Sequence, residues 1–492
     1  MVSTRKASEA AELEESLGWG GGWAVGSLSV IPDWQAALQQ LSDDTARDEH
    51  VAAISWGVVV GGELVAHGCT GTLHDDEPAD ERAVFRIASM TKSFTAAVVL
   101  ALRDEGVWQL DDSVARHAPE LATVQGPAGS PPITLRHLLS MTAGMATDDA
   151  WADRHLDMTP EEIDRIYAAN PTFAHRTNDA FEYSNLGYGM LGRAVLRATG
   201  YRVQEHISER LLQPLGMHDT TWLRPDHAHW ARPHRWRDGL LVRDWPTPIG
   251  DGEIAPMGGL WTTVADLANW VAWLDAANTT PHQPEFVGLS PASRREMQRI
   301  HTYIGIGTVA GHTCPTGYGF GLNVRDDPTL GKVVAHAGGL PGYGSNMRWL
   351  AGRGVGAIAL GNSTYAPMSV MTMRMLDVLH AHGQVPAAPA PAADGWVAAA
   401  QRLVALFNCW NDDDARALFA DNVDLDDSLP RRRAAAVDLV AEHGQLRIVE
   451  LRPSSATSGT IDMQGTSAQS VEITMEQSPV PGGTVQHYAL KG

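Results

Sequence analysis

Ser89-Met90-Thr91-Lys92 stands where a polar turn runs into the apolar stretch Phe94–Leu102, within a chain of 492 residues. A serine at i and a lysine at i+3 share one face of a helix, which brings the ammonium within reach of the hydroxyl. A serine hydroxyl is a weak nucleophile until a neighbouring group takes or polarises its proton. The first turn of a helix adds free backbone N–H groups and the positive dipole end, both of which favour developing negative charge. Taken alone, the four residues read more simply as a Ser N-cap followed by a solvated Lys.

Two further motifs change that balance. Downstream lies Phe181-Glu182-Tyr183-Ser184-Asn185-Leu186-Gly187-Tyr188, and further on His336-Ala337-Gly338-Gly339 followed by Leu340-Pro341-Gly342-Tyr343-Gly344. In this order and at these separations the three motifs resemble the serine β-lactamase and penicillin-binding-protein superfamily. The likeness is nearest to its class C branch, with the related esterases and D-amino-acid-specific peptidases. Phe85-Arg86-Ile87-Ala88, Gly106–Asp112, Ile133–Leu139 through Gly144, Pro214–Met217 and Gly258–Thr263 also look like that family. The resemblance runs over roughly residues 50–375.

It implies acyl transfer through a serine ester, in which Ser89 attacks a carbonyl carbon and Lys92 helps remove its proton. Tyr183 is by resemblance the second acid/base group. A phenol with an ordinary pKa near 10 works near neutrality only if a cation stabilises its anion, a role assigned to Lys92. Asn185 would tether Lys92 and the substrate. His336 stands where β-lactamases of this branch carry the Lys of Lys-Thr-Gly. Histidine is only partly charged near neutral pH, so it anchors a β-lactam carboxylate less well and points toward ester or short-amide substrates. Gly338 and Gly339 would let a strand approach the substrate, and the N–H groups of Ser89 and Gly339 would form the oxyanion hole. Asp148 lies near the place of a substrate-amide-binding glutamine. A carboxylate there would favour a cationic group, although an ordinary Asp loop or helix cap is the slightly preferred reading. Trp222 is expected to line the acyl pocket.

Composition is that of a soluble globular protein. Hydrophobic residues make up 44% and charged residues 19%, and the formal net charge of −21 argues against nucleic-acid or anionic-membrane partners. Three scattered cysteines, Cys69, Cys314 and Cys409, suggest neither a disulfide framework nor a zinc site. His227, His229 and His234 sit among Pro, Arg and Trp, which reads as an irregular loop better than as a metal site. Gly57–Gly62 lacks the Gly-x-Gly-x-x-Gly spacing and reads as a hairpin. No cofactor or metal is called for. Met1–Gly22 has no apolar leader core, and no segment has the ~18 consecutive apolar residues of a membrane span, so the expected compartment is the cytoplasm.

Along the chain, residues 1–28 read as a flexible leader and 29–384 as the hydrolase domain. Residues 385–395 form an Ala/Pro linker, and 396–492 a small C-terminal α+β domain. A helix pattern starts at Ile31, and Val51–Val60, Gly61-Gly62 and Glu63–His67 form a hairpin pattern. Helices dominate 103–250. Strands are expected at Val333–His336, Ser345–Leu350 and Gly354–Leu360, before a closing helix Met368–His380. The fold class is thus an α/β (α+β) sheet, its halves drawn from both termini, with flanking helices and a helical subdomain. In the C-terminal domain three helix patterns precede four alternating segments. That order resembles the nuclear-transport-factor-like cone better than a lipocalin-like β-domain.

The reading that emerges is a serine hydrolase with the set Ser89, Lys92, Tyr183, Asn185 and His336, acting on a small ester or short amide or peptide. An acyltransferase or peptide cyclase of the same fold is the closest rival. A catalytically silent ligand-binding protein is the alternative of another class. Oligomeric state is not legible.

Overall fold

A computed structural model describes residues 34–74, 77–225, 229–244, 250–279, 288–388, 393–466 and 470–491. The leader 1–28, the first three residues of the opening helix pattern, His227 and the middle of the Ala/Pro spacer lie outside the described residues. The chain divides into two compact units between Val385 and Pro386.

The first unit is organised by a nine-stranded sheet in the order Glu77–Pro78, Glu63–His74, Ala53–Val60, Val355–Gly361, Tyr343–Leu350, Gly331–Leu340, Asn323–Asp327, His312–Tyr318, Thr302–Val309. Every neighbouring pair is antiparallel. Gly61 and Gly62 turn the first hairpin with φ of 62° and 89°, the double positive φ that a tight two-residue turn demands. Ala53–Val60 then pairs with Val355–Gly361, so the two ends of the unit meet in the middle of the sheet.

Alternation along these strands feeds two cores. Val59, Val334, Met347, Trp349, Ile358 and Leu360 face one cluster. Trp56, Val58, Val333, Leu350, Ala357 and Ala359 face the other, which the helices Trp34–Asp48 and Met368–Ala381 cover with Leu38, Met371, Met375 and Leu379. On the opposite side lie Val264–Thr279 and the helix Thr91–Asp104, which is buried without a break from Thr91 to Leu102. A helix buried all round must satisfy its polar groups internally. Ser93 Oγ donates to Met90 O at 2.8 Å and Thr95 Oγ1 to Pro256 O at 2.7 Å.

The strands Thr302–Val309, His312–Tyr318 and Asn323–Asp327 and the small hairpin His234–Arg237/Leu240–Arg243 were not anticipated. Their β-signal is diluted by Gly305, Gly307, Gly311, Pro315 and Gly317. Thr302–Val309 is moreover an edge strand with no fully buried residue to impose alternation.

The second unit contains the helices Asp394–Asn408, Asp412–Leu418, Asn422–Asp426 and Leu429–His443. They precede a four-stranded antiparallel sheet of Arg447–Pro453, Ser458–Gln464, Ser470–Gln477 and Val485–Lys491 in chain order. Strict alternation in Ser458–Gln464 puts Ile461 and Met463 into a core with Trp396, Leu403, Phe407 and Met475. Trp396 anchors helix to sheet by donating Nε1–H to Met475 O at 3.0 Å. Among the described residues no helix is long and apolar enough to cross a membrane.

Candidate active site

Ser89 sits in a single 3₁₀ turn, Ala88–Met90, immediately before the buried helix. Ala88 opens that turn at φ 48°, a left-handed conformation that a non-glycine residue holds only where its surroundings over-determine it. One turn on, Lys92 Nζ lies 2.9 Å from Ser89 Oγ, 2.6 Å from Asn185 Oδ1 and 2.9 Å from Met257 O. Lys92 has no exposed surface. Burial pulls its pKa down to about 8, against the nearby carboxylates of Asp149, Asp153 and Asp148.

Asn185 owes its position to a doubly capped helix start. Ser184 Oγ accepts from Gly187 N–H at 3.2 Å. Asp148 accepts from the backbone N–H groups of Asn185 (2.7 Å) and Leu186 (2.8 Å) and from Asn185 Nδ2 (3.1 Å). With its amide nitrogen held by Asp148 and by Asp149 (2.7 Å), Asn185 turns its carbonyl oxygen to Lys92. Tyr183 lies beside this helix start, with its ring centre 4.9 Å from Lys92 Nζ. Burial holds its phenol well above 10, and the neighbouring Ser89 hydroxyl offsets only part of the rise. The expected depressed phenol is therefore not found. The ammonium lies near the ring, and the readily titrating group is the lysine.

The strand Gly331–Leu340 supplies the opposite wall. Asn323–Asp327 pairs with it only over Gly331–Ala335, so beyond His336 that edge is left to the nucleophile turn. A Cβ on Gly338 would lie 2.1 Å from Ile87 O, and one on Gly339 would lie 2.6 Å from the Tyr365 ring. Glycine is what lets this strand come so close. Ser345 Oγ pins the turn by donating to Ile87 O at 2.8 Å. His336 is buried, with Nδ1 2.6 Å from Ala337 O and Nε2 3.1 Å from Tyr318 Oη. A carbonyl only accepts, so Nδ1 carries the proton and Nε2 accepts from the tyrosine. Burial, reinforced by Lys92, lowers the His336 pKa to about 3. The imidazole is neutral throughout the physiological range rather than partly charged.

These groups surround a cleft of about 570 Å³ lined by Ser89, Asp149, Asp153, Tyr183, His336, Gly338, Gly339 and Tyr365, among others. Of the two candidate substrate contacts, Trp222 lies elsewhere, and Asp148 takes the helix-cap role, the slightly preferred reading of its sequence. The carboxylates on the cleft wall are Asp149 and Asp153. Trp222 packs into the core against Gly259 and is absent from the cleft lining. Sequence reasoning missed Tyr318, which orients His336, and Asp149, Asp153 and Tyr365. The i, i+4 spacing of Asp149 and Asp153 was the available signal, but Asp148 alongside obscured it.

The Beta-lactamase family model matches residues 34–382. The chain belongs to the Beta-lactamase family. As a member of that family it is a serine hydrolase. Esterase EstB of Burkholderia gladioli is 28% identical over 394 residues, covering 70% of this chain and 95% of the esterase. Penicillin-binding protein 4* of Bacillus subtilis (strain 168) is 24% identical over 320 residues, covering 58% of this chain and 63% of the relative. Among solved structures, the octameric penicillin-binding protein homologue from Pyrococcus abyssi superposes with a TM-score of 0.61 at 20% identity over 91% of both chains. EstCE1, a hydrolase with promiscuous acyltransferase activity, gives a TM-score of 0.58 at 20% identity over 70% of this chain and 98% of its own. These two share the fold.

Proposed function

We propose that this Beta-lactamase family member hydrolyses small esters and short amides through an acyl-enzyme on Ser89. The observation that carries the reading is the contact between Ser89 Oγ and the buried Lys92 Nζ at the wall of an open cleft. Neutral Lys92 takes the hydroxyl proton as Oγ attacks the carbonyl carbon, while the N–H groups of Ser89 and Gly339 hold the oxyanion. Tyr183, whose phenol stays protonated, donates its proton to the leaving alkoxide or amine as the carbonyl–leaving-group bond breaks. The Lys92 ammonium restores the phenol. In deacylation Lys92 takes a proton from the attacking water, and Ser89 departs with it. Asn185 positions Lys92, and His336 presents a neutral edge to the substrate. The esterase among the relatives supports ester chemistry.

The test is a slow ester substrate followed by intact-mass measurement. The full chain should gain the acyl mass, and Ser89→Ala should gain none while turnover falls by on the order of 10⁴-fold or more. Acylation that persists in Ser89→Ala would sink the assignment.

A further inference from the structure

Buried arginines elsewhere in this protein use their donors. Arg325 Nη2 donates to Gly307 O at 2.9 Å and to His312 O at 2.8 Å. Arg348 donates to Thr372 Oγ1 at 3.3 Å and to Ser369 O at 3.2 Å, and Arg193 is shared by Glu120, Asp164 and Glu253. Arg86 is different. It is only 2% exposed, and among the described residues no acceptor is bonded to its guanidinium, with Nε and Nη2 buried outright. Trp261, its partner across the strand pair, also buries its indole N–H without an acceptor among the described residues.

The guanidinium carbon lies 5.5 Å from the centre of the Trp261 ring. Such a cation–π contact engages the ring face and leaves the in-plane N–H donors free. Trp261 meets Trp230 edge-on at 5.9 Å and Tyr343 at 5.7 Å. Arg224 in turn lies 5.0 Å from the centre of the Trp230 ring, is exposed, and forms no ion pair among the described residues. Burial pushes the Tyr343 phenol up, and the two cations that oppose the rise are Arg86 and Arg224. The Tyr343 hydroxyl itself donates to Ala231 O at 2.8 Å. Two unpaired arginines therefore flank one group of aromatic side chains, in a chain whose formal net charge is −21.

Burial lowers the Arg86 pKa to about 10, and Tyr343 and Asp153 oppose this through their fields alone. Arg86 is thus still a cation near neutrality, and a buried cation without hydrogen bonds is an uncompensated charge. Its place in the chain gives that charge a use. The strand Phe85–Arg86 leads directly into the nucleophile turn Ala88–Met90. A free guanidinium fork matches the two oxygens of a carboxylate.

We propose that Arg86, assisted by the exposed Arg224, forms a carboxylate-binding subsite walled by Trp230, Trp261 and Tyr343, so that the preferred substrates carry a carboxylate remote from the scissile bond. This rests on the acyl chemistry proposed above and names its substrate class. The subsite is separate from the strand at His336, whose neutral imidazole offers a carboxylate no charge. A bound carboxylate pairs donors that are otherwise buried and unmatched, whereas an uncharged group of the same shape leaves them so.

Monoethyl adipate and ethyl hexanoate differ chiefly by a carboxylate at the end of the acyl chain; 4-acetoxybutanoate and butyl acetate differ in the same way on the alcohol side. Binding of all four to the Ser89→Ala protein is measured by calorimetry, and their hydrolysis by the unmodified chain is followed separately. In at least one pair the carboxylate should bind about tenfold or more tightly than its neutral partner, and Arg86→Met or Arg224→Ala should remove most of that preference. Arg86→Lys, which keeps the charge but not the fork, should retain part of it. Arg224 is exposed, so its variant remains informative if the Arg86 variants fail to fold. Equal affinity within both pairs, or a preference that survives both Arg86→Met and Arg224→Ala, overturns the subsite. If carboxylates are preferred in binding but no ester is turned over, the subsite stands and the proposed hydrolysis falls. If esters are turned over with no carboxylate preference in binding, the reverse holds.

Discussion

Lys92 Nζ lies 2.9 Å from Ser89 Oγ in a site that gives the lysine no exposed surface. Solvent cannot stabilise the ammonium there, so its proton is lost near pH 8 rather than near 10.5. A base must be unprotonated to act. The kcat/KM for a neutral ester should therefore rise with pH through about 8 and then level off. Lys92→Arg, a fixed cation, should lose about 10²–10⁴-fold and abolish that inflection. A pH–rate profile flat from acid to pH 9 would exclude Lys92 as the base.

Lys92 and Tyr183 both neighbour the Ser89 hydroxyl, and the proposed proton path runs through both. Groups that act as one unit are not additive. Lys92→Ala combined with Tyr183→Phe should be little worse than the poorer single variant, as measured by log kcat/KM. Additive losses would assign Tyr183 to packing.

His336 is held neutral by burial and by Lys92, with its Nε2 occupied by Tyr318. It offers no charge to a β-lactam carboxylate, a loss worth roughly 10–100-fold for one charge-assisted hydrogen bond. Esters should be hydrolysed well ahead of penicillins and cephalosporins of similar size. A cephalosporin kcat/KM matching that of the best ester would overturn this.

Away from the cleft, His312 bridges Asp327 through Nδ1 at 2.7 Å and Asp377 through Nε2 at 2.8 Å. Burial alone would depress its pKa, but the two carboxylates outweigh burial and raise it above 6.5. A raised pKa means that the bridge's contribution to stability is fully present below about pH 6.5 and is lost as pH rises through the folded value. The Tm gap between the native chain and His312→Ala should therefore be wider at pH 6 than at pH 9. Equal gaps at the two pH values would show that the bridge carries no net charge coupling.

Much of this was legible because it is local. The i, i+3 relation of Ser89 and Lys92, the Gly61-Gly62 turn and the alternation in Ser458–Gln464 are consequences of helix and strand periods that neighbouring residues impose on one another. The family motifs extended that reading across the chain. They did not reveal the three strands from Thr302 to Asp327, where glycine and proline dilute the signal and hydrogen bonding to the central sheet supplies the order.

The charge states and the division of labour among carboxylates came only from tertiary structure. Asp148, Asp149 and Asp153 are alike as residues within a short stretch of sequence. What separates them is where distant segments lie: the helix starting at Asn185 takes both oxygens of Asp148, while Tyr365 reaches across to Asp153. The same holds for Lys92, whose partners Asn185 and Met257 are 93 and 165 residues away, and for His336, neutral because the fold buries it near an ammonium. Residue order sets the backbone periods and the functional groups on offer. Desolvation and pairing decide which of those groups are charged, and both depend on neighbours that only the folded chain brings together.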